Sequence, residues 1–222
     1  MQAHCGRPIL SFMPWKTRYG SLAVRIYRSL IDPLLFPIRP KIVRLCRDLG
    51  VREILDIATA TGAQCRALGR AGIAATGLDL SEEMISAAQS IGGRDTRYVH
   101  GSAYELPFED GSFDASLLLL ALHEHTEGER RVMLGEAIRV LQPAGWLIVA
   151  DYTKPRHSAL HLPWQMIRLI EEAAGPEHRS GFKDFIRRGG LDGLLERHGL
   201  EFRHRARSHF GAVGVAAASR LN

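Results

Sequence analysis

A regular alternation of short apolar runs and helical patterns between Glu53 and Asp151 constrains the fold of this chain more than any other feature. Such an alternation is typical of βαβ units, whose strands pair in parallel. The fourth apolar run is almost wholly apolar, as expected of a strand that is covered on both faces. The runs that we predict as strands are Glu53–Ala58, Gly72–Leu78, Thr96–His100, Phe113–Leu120 and Trp146–Ala150.

Two of the helical patterns between these runs have recognisable ends. Ser81 can cap a helix that opens with Glu82 and Glu83, because a hydroxyl and acidic side chains both stabilise the unpaired N–H groups of a first turn. Apolar residues recur at a spacing of about 3.6 residues from Glu127 to Leu141, which predicts a second helix. The proline and glycine of Gln142–Gly145 then stop it.

Further patterns flank this unit on both sides. Residues 15–49 carry helical patterns broken by three prolines, so we expect two or three extra N-terminal helices. Residues 155–198 predict a helical insertion before strand six, and Leu200–Arg205 and Ala212–Ala218 predict a C-terminal hairpin. The predicted fold is therefore α/β: a Rossmann-like open sheet, mostly parallel with an antiparallel C-terminal hairpin, and helices on both faces.

The loop after the first strand is the place to look for a ligand, because open parallel sheets bind ligands at the carboxyl ends of their strands. Small residues at Ala58, Ala60 and Gly62 let the backbone pass close to a ligand. Asp79 ends the second strand, and a carboxylate there can accept both hydroxyls of a ribose. The pairing predicts a cofactor that contains a nucleoside; the alternative is a tight turn beside a solvated aspartate.

Phosphate binding is disfavoured at this loop. Neither the Gly-x-Gly-x-x-Gly pattern of dinucleotide sites nor a Gly-Lys-Ser/Thr phosphate loop is present. Asp56 lies close to the loop, where its charge repels a pyrophosphate and tolerates a cation. We therefore expect a nucleoside that carries positive charge and little phosphate.

Five segments in order between Val51 and Tyr152 resemble the class I S-adenosylmethionine-dependent methyltransferases, specifically the small bacterial group related to the ubiquinone and menaquinone biosynthesis methyltransferases. These segments are Ile54–Gly62, similar to Leu-Asp-x-Gly-x-Gly-x-Gly; Gly77–Met84, similar to Gly-x-Asp-x-Ser-x-x-Met; Gly101–Phe108, similar to Gly-Asp-Ala-x-x-Leu-Pro-Phe; Ser112–Ala115 with Leu122–His123, similar to Phe-Asp-x and Leu-His; and Arg139–Gly145, similar to Arg-Val-Leu-Lys-Pro-Gly-Gly.

The resemblance implies a binding role for each matching residue. The loop of Ala58, Thr59, Ala60 and Gly62 would hold the methionine end of S-adenosylmethionine, with Asp56 as a nearby carboxylate. The resemblance also implies that Asp79 binds the ribose hydroxyls and that Leu80 and Met84 cover the adenine faces. It further implies that Ser102 and Ala103 meet the adenine edge and that Leu118 and Leu119 lie beside the sulfonium.

This sequence departs from the family pattern at three positions. Ala58 and Ala60 stand where the family has glycine, and Ser102 stands where it has aspartate. Two further hypotheses therefore stay open: a protein that binds S-adenosylmethionine or S-adenosylhomocysteine without transferring a methyl group, and a nicotinamide-dependent reductase. The missing glycines disfavour the reductase.

His123 and His125 are the predicted catalytic residues, because histidine exchanges protons near neutral pH and the resemblance places His123 toward the substrate. Glu124 could orient one of them; the alternative is that both histidines cap the end of strand four. No third ligand with a recognisable spacing accompanies His123 and His125, so no metal site is predicted.

The predicted function is methyl transfer from S-adenosylmethionine to a small, apolar or lipid-like acceptor by in-line displacement. The chain is predicted to form a single domain with four parts. These are an N-terminal helical cover at 1–49, a cofactor-binding core at 50–154, a helical substrate lid at 155–198 and a closing hairpin at 199–222. The sequence specifies neither the methylated atom nor an oligomeric state.

The basic residues flank the predicted cofactor unit. Lysine and arginine number 29 against 24 aspartates and glutamates, for a formal charge of +5. The run Arg203–Arg207 lacks the interleaved aromatic residues that stack on bases, so we predict no nucleic-acid partner. Basic residues around Leu34–Phe36 suggest peripheral contact with anionic lipid. Three cysteines without Cys-x-x-Cys spacing, and no visible secretory signal, predict a cytoplasmic protein.

Overall fold

The computed structural model describes residues 24–25, 27–154, 161–198 and 200–219. Its centre is a seven-stranded sheet with the strand order β3-β2-β1-β4-β5-β7-β6. Strands β1 to β5 pair in parallel, whereas β7 pairs antiparallel with both β5 and β6. The strands are β1 (Glu53–Ile57), β2 (Ala74–Asp79), β3 (Thr96–His100), β4 (Phe113–Leu119), β5 (Leu141–Tyr152), β6 (His204–Ser208) and β7 (Val213–Ser219).

Eight α-helices belong to the described residues, together with a π-helical turn at Tyr27–Ile31 and a 3₁₀ turn at His209–Gly211. Helices α3, α4 and α5 connect β1 to β2, β2 to β3 and β4 to β5, respectively. The helices are α1 (Asp32–Leu34), α2 (Arg39–Asp48), α3 (Ala63–Arg70), α4 (Glu82–Ile91), α5 (Glu127–Arg139), α6 (His161–Ala173), α7 (Pro176–Arg187) and α8 (Gly190–Arg197). Among the described residues, no helix is both long and apolar enough to cross a bilayer.

These elements confirm the predicted fold class. Ser81 caps α4 by accepting a hydrogen bond from the Met84 N–H over 3.2 Å. Thr126 and Glu129 form a capping box at the start of α5, which fixes where the chain turns into that helix. The inner strands β1 and β4 are almost wholly buried because helices cover both faces of the sheet.

Several predicted strand bounds were wrong. Strands β1 and β4 end one residue early, because Ala58 and Leu120 adopt left-handed backbone angles that leave the extended conformation. Strand β2 begins at Ala74 and not at Gly72, and β5 runs from Leu141 to Tyr152 through the predicted helix stop. The helix before β5 accordingly ends at Arg139.

The first strand of the hairpin was predicted at Leu200–Arg205 and lies instead at His204–Ser208. This strand is at the sheet edge, and four of its five residues are exposed. The position of this strand is therefore set by its pairing with β7, which places Ser208 opposite Val213. It is not set by an apolar pattern in the sequence.

The predicted N-terminal helices are present in the described part of 15–49. Pro33 and Pro40 lie in the first turns of α1 and α2, where a missing N–H costs nothing, so they start helices here. Ile38 and Ile42 are fully buried against the core of the sheet. Predictions for residues before 24, for 26, 155–160 and 199, and for 220–222 lie outside the described residues.

Candidate active site

The loop between β1 and α3 contains three residues in the left-handed region. The φ angles of Ala58, Ala60 and Gly62 are 60°, 49° and 73°. The backbone N–H of Thr59 donates to the Leu78 carbonyl over 2.9 Å, which holds the loop against the end of β2. Only glycine adopts such angles freely, so the two alanines hold this backbone at a cost of about 1–2 kcal/mol each.

Asp56 lies beneath this loop and is buried. Its Oδ2 accepts hydrogen bonds from Thr59 Oγ1 over 2.6 Å and from Cys65 Sγ over 3.4 Å. Burial raises the pKa of Asp56 to about 6, although the Thr59 and Cys65 hydrogen bonds oppose that rise. The carboxyl group therefore supports the loop from within the protein.

Asp79 lies at the carboxyl end of β2, beside the same loop. Its Oδ2 accepts a hydrogen bond from the Ala60 N–H over 2.8 Å, and its Oδ1 accepts one from the Ser81 N–H over 2.9 Å. Burial raises the pKa of Asp79, and the two N–H groups moderate that rise. Each oxygen retains lone-pair capacity for a further donor. These free acceptor positions fit the adjacent hydroxyls of a ribose, which would donate to them.

Met84 lies against the loop with residues from the N-terminal segment. It forms a small buried cluster with Val24 and Ala60, and Tyr27 packs on this cluster. Burial and then the nearby Asp32 carboxylate raise the pKa of the Tyr27 phenol. The segment before the sheet thus covers one side of the loop.

A polar contact that no sequence pattern predicts holds the N-terminal segment against the loop. Thr61 Oγ1 donates a hydrogen bond to Asp32 Oδ2 over 2.7 Å. Asp32 Oδ1 pairs with Arg39 Nη2 over 2.6 Å, and Arg39 Nη1 donates to the Asp32 carbonyl oxygen over 2.6 Å. The N-terminal segment, the loop and α2 are therefore joined through one carboxylate.

The residues predicted to face the adenine lie after β2 and β3. Leu80 is half-buried, and its carbonyl oxygen accepts a hydrogen bond from His100 Nε2 over 2.9 Å. Ser102 and Ala103 are also half-buried, and Ser102 Oγ accepts the Tyr104 N–H over 3.1 Å. The Ser102 hydroxyl is thus held by its own turn.

The end of β4 lies next to β1, with Leu118 opposite Ile57. The Leu118 side chain is fully buried in the main core, whereas Leu119 is half-buried. Leu120 then takes a φ of 50° and turns the chain. Of the two predicted sulfonium neighbours, Leu119 has the accessible side chain.

His123 follows this turn and is buried. Its Nδ1 lies 3.0 Å from Asp151 Oδ1, and Asp151 Oδ2 accepts the backbone N–H groups of Leu122 and His123. Burial favours the neutral ring, but Asp151 and then Glu171 raise the pKa of His123 well above its ordinary value. Asp151 therefore fixes both the ring and the backbone of this segment.

His125 has different surroundings and is half-buried. Its Nδ1 lies 2.9 Å from the hydroxyl of Tyr104, and the two rings meet edge to face. Burial raises the pKa of Tyr104, and the Glu129 carboxylate adds to the rise. His125 and Tyr104 thus form a pair between the segments that follow β4 and β3.

Sequence reasoning missed two residues of α6 and α7. Glu171 Oε2 lies 3.5 Å from His123 Nε2 and 2.5 Å from His178 Nε2. His178 Nδ1 lies 2.9 Å from Glu124 Oε2. Burial opposes a charge on His178, yet Glu124 and Glu171 raise its pKa to about 9. A cluster drawn from three elements has no spacing in sequence, so no motif could have revealed it.

A buried arginine ties the segment after β4 to α7. Arg130 Nε donates to the Leu122 carbonyl oxygen over 3.0 Å, and Nη2 donates to the Gly181 carbonyl oxygen over 3.1 Å. A Cβ at Gly181 would lie 2.5 Å from the Glu124 carbonyl oxygen, so only glycine permits this close approach. The helical insertion is therefore packed directly on the residues predicted to face the substrate.

Aromatic side chains surround His123. Its ring centroid lies 4.7 Å from that of Tyr152 and 6.3 Å from that of Phe182. Trp164 and Phe182 are buried and pack on Tyr152. A groove of about 500 Å³ lies beyond them, lined by Trp164, Gln165, Arg168, Phe182, Lys183, Ile186 and Arg187.

The sequence is similar to known methyltransferases. Residues 55–149 match a family described as a methyltransferase domain. The protein named demethylmenaquinone methyltransferase from Tropheryma whipplei, strain Twist, is 32% identical over 192 residues, covering 79% of this chain and 78% of the relative. The protein of the same name from Thermotoga maritima is 34% identical over 119 residues, covering 53% and 51%.

Solved structures share the fold. A SAM-dependent methyltransferase from Aquifex aeolicus aligns with a TM-score of 0.61 at 17% identity, over 89% of this chain and 98% of that one. Magnesium protoporphyrin IX methyltransferase from Synechocystis PCC 6803, solved with bound SAH, aligns with a TM-score of 0.60 at 16% identity, over 92% and 89%. The chain belongs to the class I S-adenosylmethionine-dependent methyltransferases, in the group related to quinone biosynthesis, and S-adenosylmethionine is its cofactor.

Proposed function

We propose that this methyltransferase acts on a small, apolar or lipid-like acceptor by in-line displacement, and that a quinone in its reduced form represents that class. The observation that carries the proposal is the buried aromatic group of Tyr152, Trp164 and Phe182 beside His123. These residues lie near the carboxyl ends of the same sheet whose β1 and β2 ends form the loop and Asp79. The name of the Tropheryma whipplei relative supports a quinone ring.

The proposed cofactor contacts follow from the acceptor oxygens of Asp79 and from the backbone of the loop between β1 and α3. Asp79 would accept the ribose hydroxyls, and the backbone of Ala58 to Gly62, supported by Asp56, would hold the methionine end. Leu80, Met84, Ser102 and Ala103 would surround the adenine, and Leu118 and Leu119 would lie near the sulfur. The bound cofactor supplies an electrophilic methyl group on a sulfonium sulfur. When the methyl group is transferred to the acceptor, the sulfur becomes a neutral thioether.

The protein's own residues would align the acceptor and exclude water, and alignment alone can supply several kcal/mol. His123 is locked by Asp151 and Glu171, so we assign it to holding the segment after β4. We assign contact with the acceptor to His125, which pairs with Tyr104 at the edge of this region. A base is needed only if the acceptor must first lose a proton.

We further propose roles for the parts that flank the sheet. Residues 1–49 would cover the cofactor, as the contacts of Val24, Tyr27 and Asp32 support. Residues 155–198 would form the substrate lid, as the packing of Trp164 and Phe182 near His123 supports. The hairpin in 199–222 would close the sheet beside β5.

Isothermal titration calorimetry and a transfer assay test this function. We expect S-adenosylhomocysteine to bind, and methylated product to appear when a short-chain demethylmenaquinol is offered with S-adenosylmethionine. The variant Asp79→Ala should lose at least tenfold in affinity for S-adenosylhomocysteine, whereas the exposed Asp95→Asn should not.

Each other outcome has a defined meaning. Binding without transfer to the quinol or to hydroxylated aromatic acceptors would support the alternative of a cofactor-binding protein. Binding of NAD(H) in place of S-adenosylhomocysteine would overturn the assignment of the loop.

A further inference from the structure

Three side-chain atoms of His123, Glu171 and His178 converge on one point. Each residue offers one ligand atom, and these atoms all lie within 4.8 Å of one another. Glu171 Oε2 lies between the two Nε2 atoms, 3.5 Å from that of His123 and 2.5 Å from that of His178. The three residues come from the segment after β4, from α6 and from α7.

Carboxylates orient both imidazole rings from behind. Asp151 Oδ1 lies 3.0 Å from Nδ1 of His123, and Glu124 Oε2 lies 2.9 Å from Nδ1 of His178. A carboxylate only accepts hydrogen bonds, so each ring in its neutral form would carry its proton on Nδ1 and leave the Nε2 lone pair facing the shared point. Histidines that bind metals are held by carboxylates in this manner.

The Glu171 carboxylate is buried, with 3% of the residue exposed. Its Oε1 accepts a hydrogen bond from the Tyr152 hydroxyl over 2.8 Å. Its Oε2 is buried and lacks a well-aligned hydrogen-bond donor among the described residues; the two imidazole Nε2 atoms are the polar atoms beside it. An acceptor oxygen in this state is expensive to bury, and a bound cation would satisfy it.

The charges of the cluster also call for a cation. Three carboxylates, those of Asp151, Glu171 and Glu124, surround two imidazoles. With both rings neutral, the cluster carries three negative charges in a largely buried place. Positive charge must therefore enter it, either as protons on the rings or as a metal ion.

We propose that His123, Glu171 and His178 form a site for a divalent transition-metal ion, with Asp151 and Glu124 orienting the two histidines. Two imidazoles and one carboxylate suit Zn²⁺ above Mg²⁺ or Ca²⁺, which prefer oxygen ligands. Ligand atoms around a tetrahedral zinc lie about 3.3 Å apart, so the contact of Glu171 with His178 would open by less than about 1 Å.

The site would tie the helical insertion to the sheet. The metal would join α6 and α7 to the segment after β4, where Arg130 already links α7 to Leu122. Three protein ligands leave one coordination position for water or for an oxygen of the acceptor. This last role rests on the proposed function, whereas metal binding itself does not.

Titration of the full-length, metal-stripped protein with ZnCl₂ tests the site. Calorimetry and elemental analysis should give one tightly bound zinc per chain, and zinc should raise the Tm. His178→Gln and Glu171→Gln should each weaken binding by more than about 100-fold and abolish the rise in Tm. Glu124→Gln, which removes only an orienting carboxylate, should cost about 10- to 100-fold.

The exposed His204→Gln is the matched control and should bind zinc as the parent does. Parallel titrations with Co²⁺, Mn²⁺ and Mg²⁺ identify the metal class, with Co²⁺ expected to give the visible spectrum of a tetrahedral site. His178 is half-buried, so its variant should fold, and circular dichroism checks this.

Absence of a stoichiometric zinc would overturn the proposal, and so would zinc binding that survives both His178→Gln and Glu171→Gln. Protons alone would then balance the cluster. The transfer assay with short-chain demethylmenaquinol, run on the same preparation, keeps the two proposals apart. Zinc binding without methyl transfer would remove only the proposed function, and methyl transfer without zinc binding would remove only the metal site.

Discussion

The hydroxyl of Thr61 donates a hydrogen bond to Asp32 Oδ2 over 2.7 Å, and this contact joins the loop between β1 and α3 to the segment that precedes the sheet. Thr61 is buried, and Asp32 is held in turn by Arg39. Since Ala60 of the same loop also packs on Val24, movement of the N-terminal segment and opening of the loop should be coupled.

Thr61→Val should loosen this connection, because it keeps the shape of the side chain and removes the donor. Loss of one buried hydrogen bond costs about 1–3 kcal/mol locally. We expect faster hydrogen exchange at residues 27–35 and a weakening of S-adenosylhomocysteine binding by roughly 5- to 10-fold. Thr96→Val, which removes the bond from Thr96 Oγ1 to the Gly93 carbonyl oxygen, is the control. Unchanged exchange in residues 27–35 would refute the coupling.

Ala58→Gly should relieve backbone strain in the loop between β1 and α3. Ala58 holds a φ of 60°, where an alanine pays about 1–2 kcal/mol and a glycine pays little. Glycine also adds conformational entropy to the unfolded chain, which offsets part of this relief. We therefore expect a net gain of about 0.5–1 kcal/mol in the free energy of unfolding. Affinity for S-adenosylhomocysteine should rise several-fold, because the backbone loses a methyl group where the loop is proposed to hold the methionine end of the cofactor.

Ala144→Gly is the matched control for this substitution. Ala144 has a φ of 62° in β5, away from the loop, so its variant should gain stability without any change in affinity. Ala60→Gly is a less clean variant, because Ala60 packs on Met84 and Val24. Equal changes of affinity in the Ala58 and Ala144 variants would show that the effect does not arise in the loop.

The sheet and loop could be predicted from the sequence because their signals are local. Buried strands are runs of apolar residues, and Ala58, Ala60 and Gly62 follow one such run directly. The edge strand at His204–Ser208 carries no apolar run, so its position was missed. The same holds for the Thr61 and Asp32 contact and for Glu171 and His178, since polar contacts between distant segments depend on packing and leave no periodic pattern.

The burial of Asp56 should make stability depend on pH. Its pKa lies at about 6 in the folded protein, against an ordinary value of 3.8. A raised pKa means that the folded state binds the proton more tightly. The contribution of the protonated Asp56 to the free energy of unfolding is therefore fully present below about pH 3.8 and is lost as the pH rises through about 6. The loss amounts to about 3 kcal/mol.

Asp56→Asn should remove this dependence, because its amide oxygen can still accept from Thr59 and carries no charge. Urea unfolding at several pH values measures it. We expect the free energy of unfolding of the variant to rise relative to that of the parent between pH 4 and pH 7, by about 1–3 kcal/mol. Asp95→Asn, at an exposed position, should track the parent. A constant difference between the Asp56 variant and the parent at all pH values would contradict the assignment.

The exposed apolar residues near α1 should bring the protein to anionic membranes, where a lipid-like acceptor would reside. Phe36 is 73% exposed, Leu34 is 43% exposed, and the exposed Arg28, Lys41 and Arg44 provide positive charge in the same region of sequence. Apolar insertion combined with basic residues binds anionic lipid, and salt weakens the electrostatic part. We therefore expect flotation with vesicles rich in phosphatidylglycerol that declines as salt is raised.

Phe36→Ser should reduce flotation severalfold, whereas Val132→Ser on α5, at a position 43% exposed, should not. Equal flotation of both variants, or binding that ignores salt and lipid charge, would place the membrane contact elsewhere or exclude it.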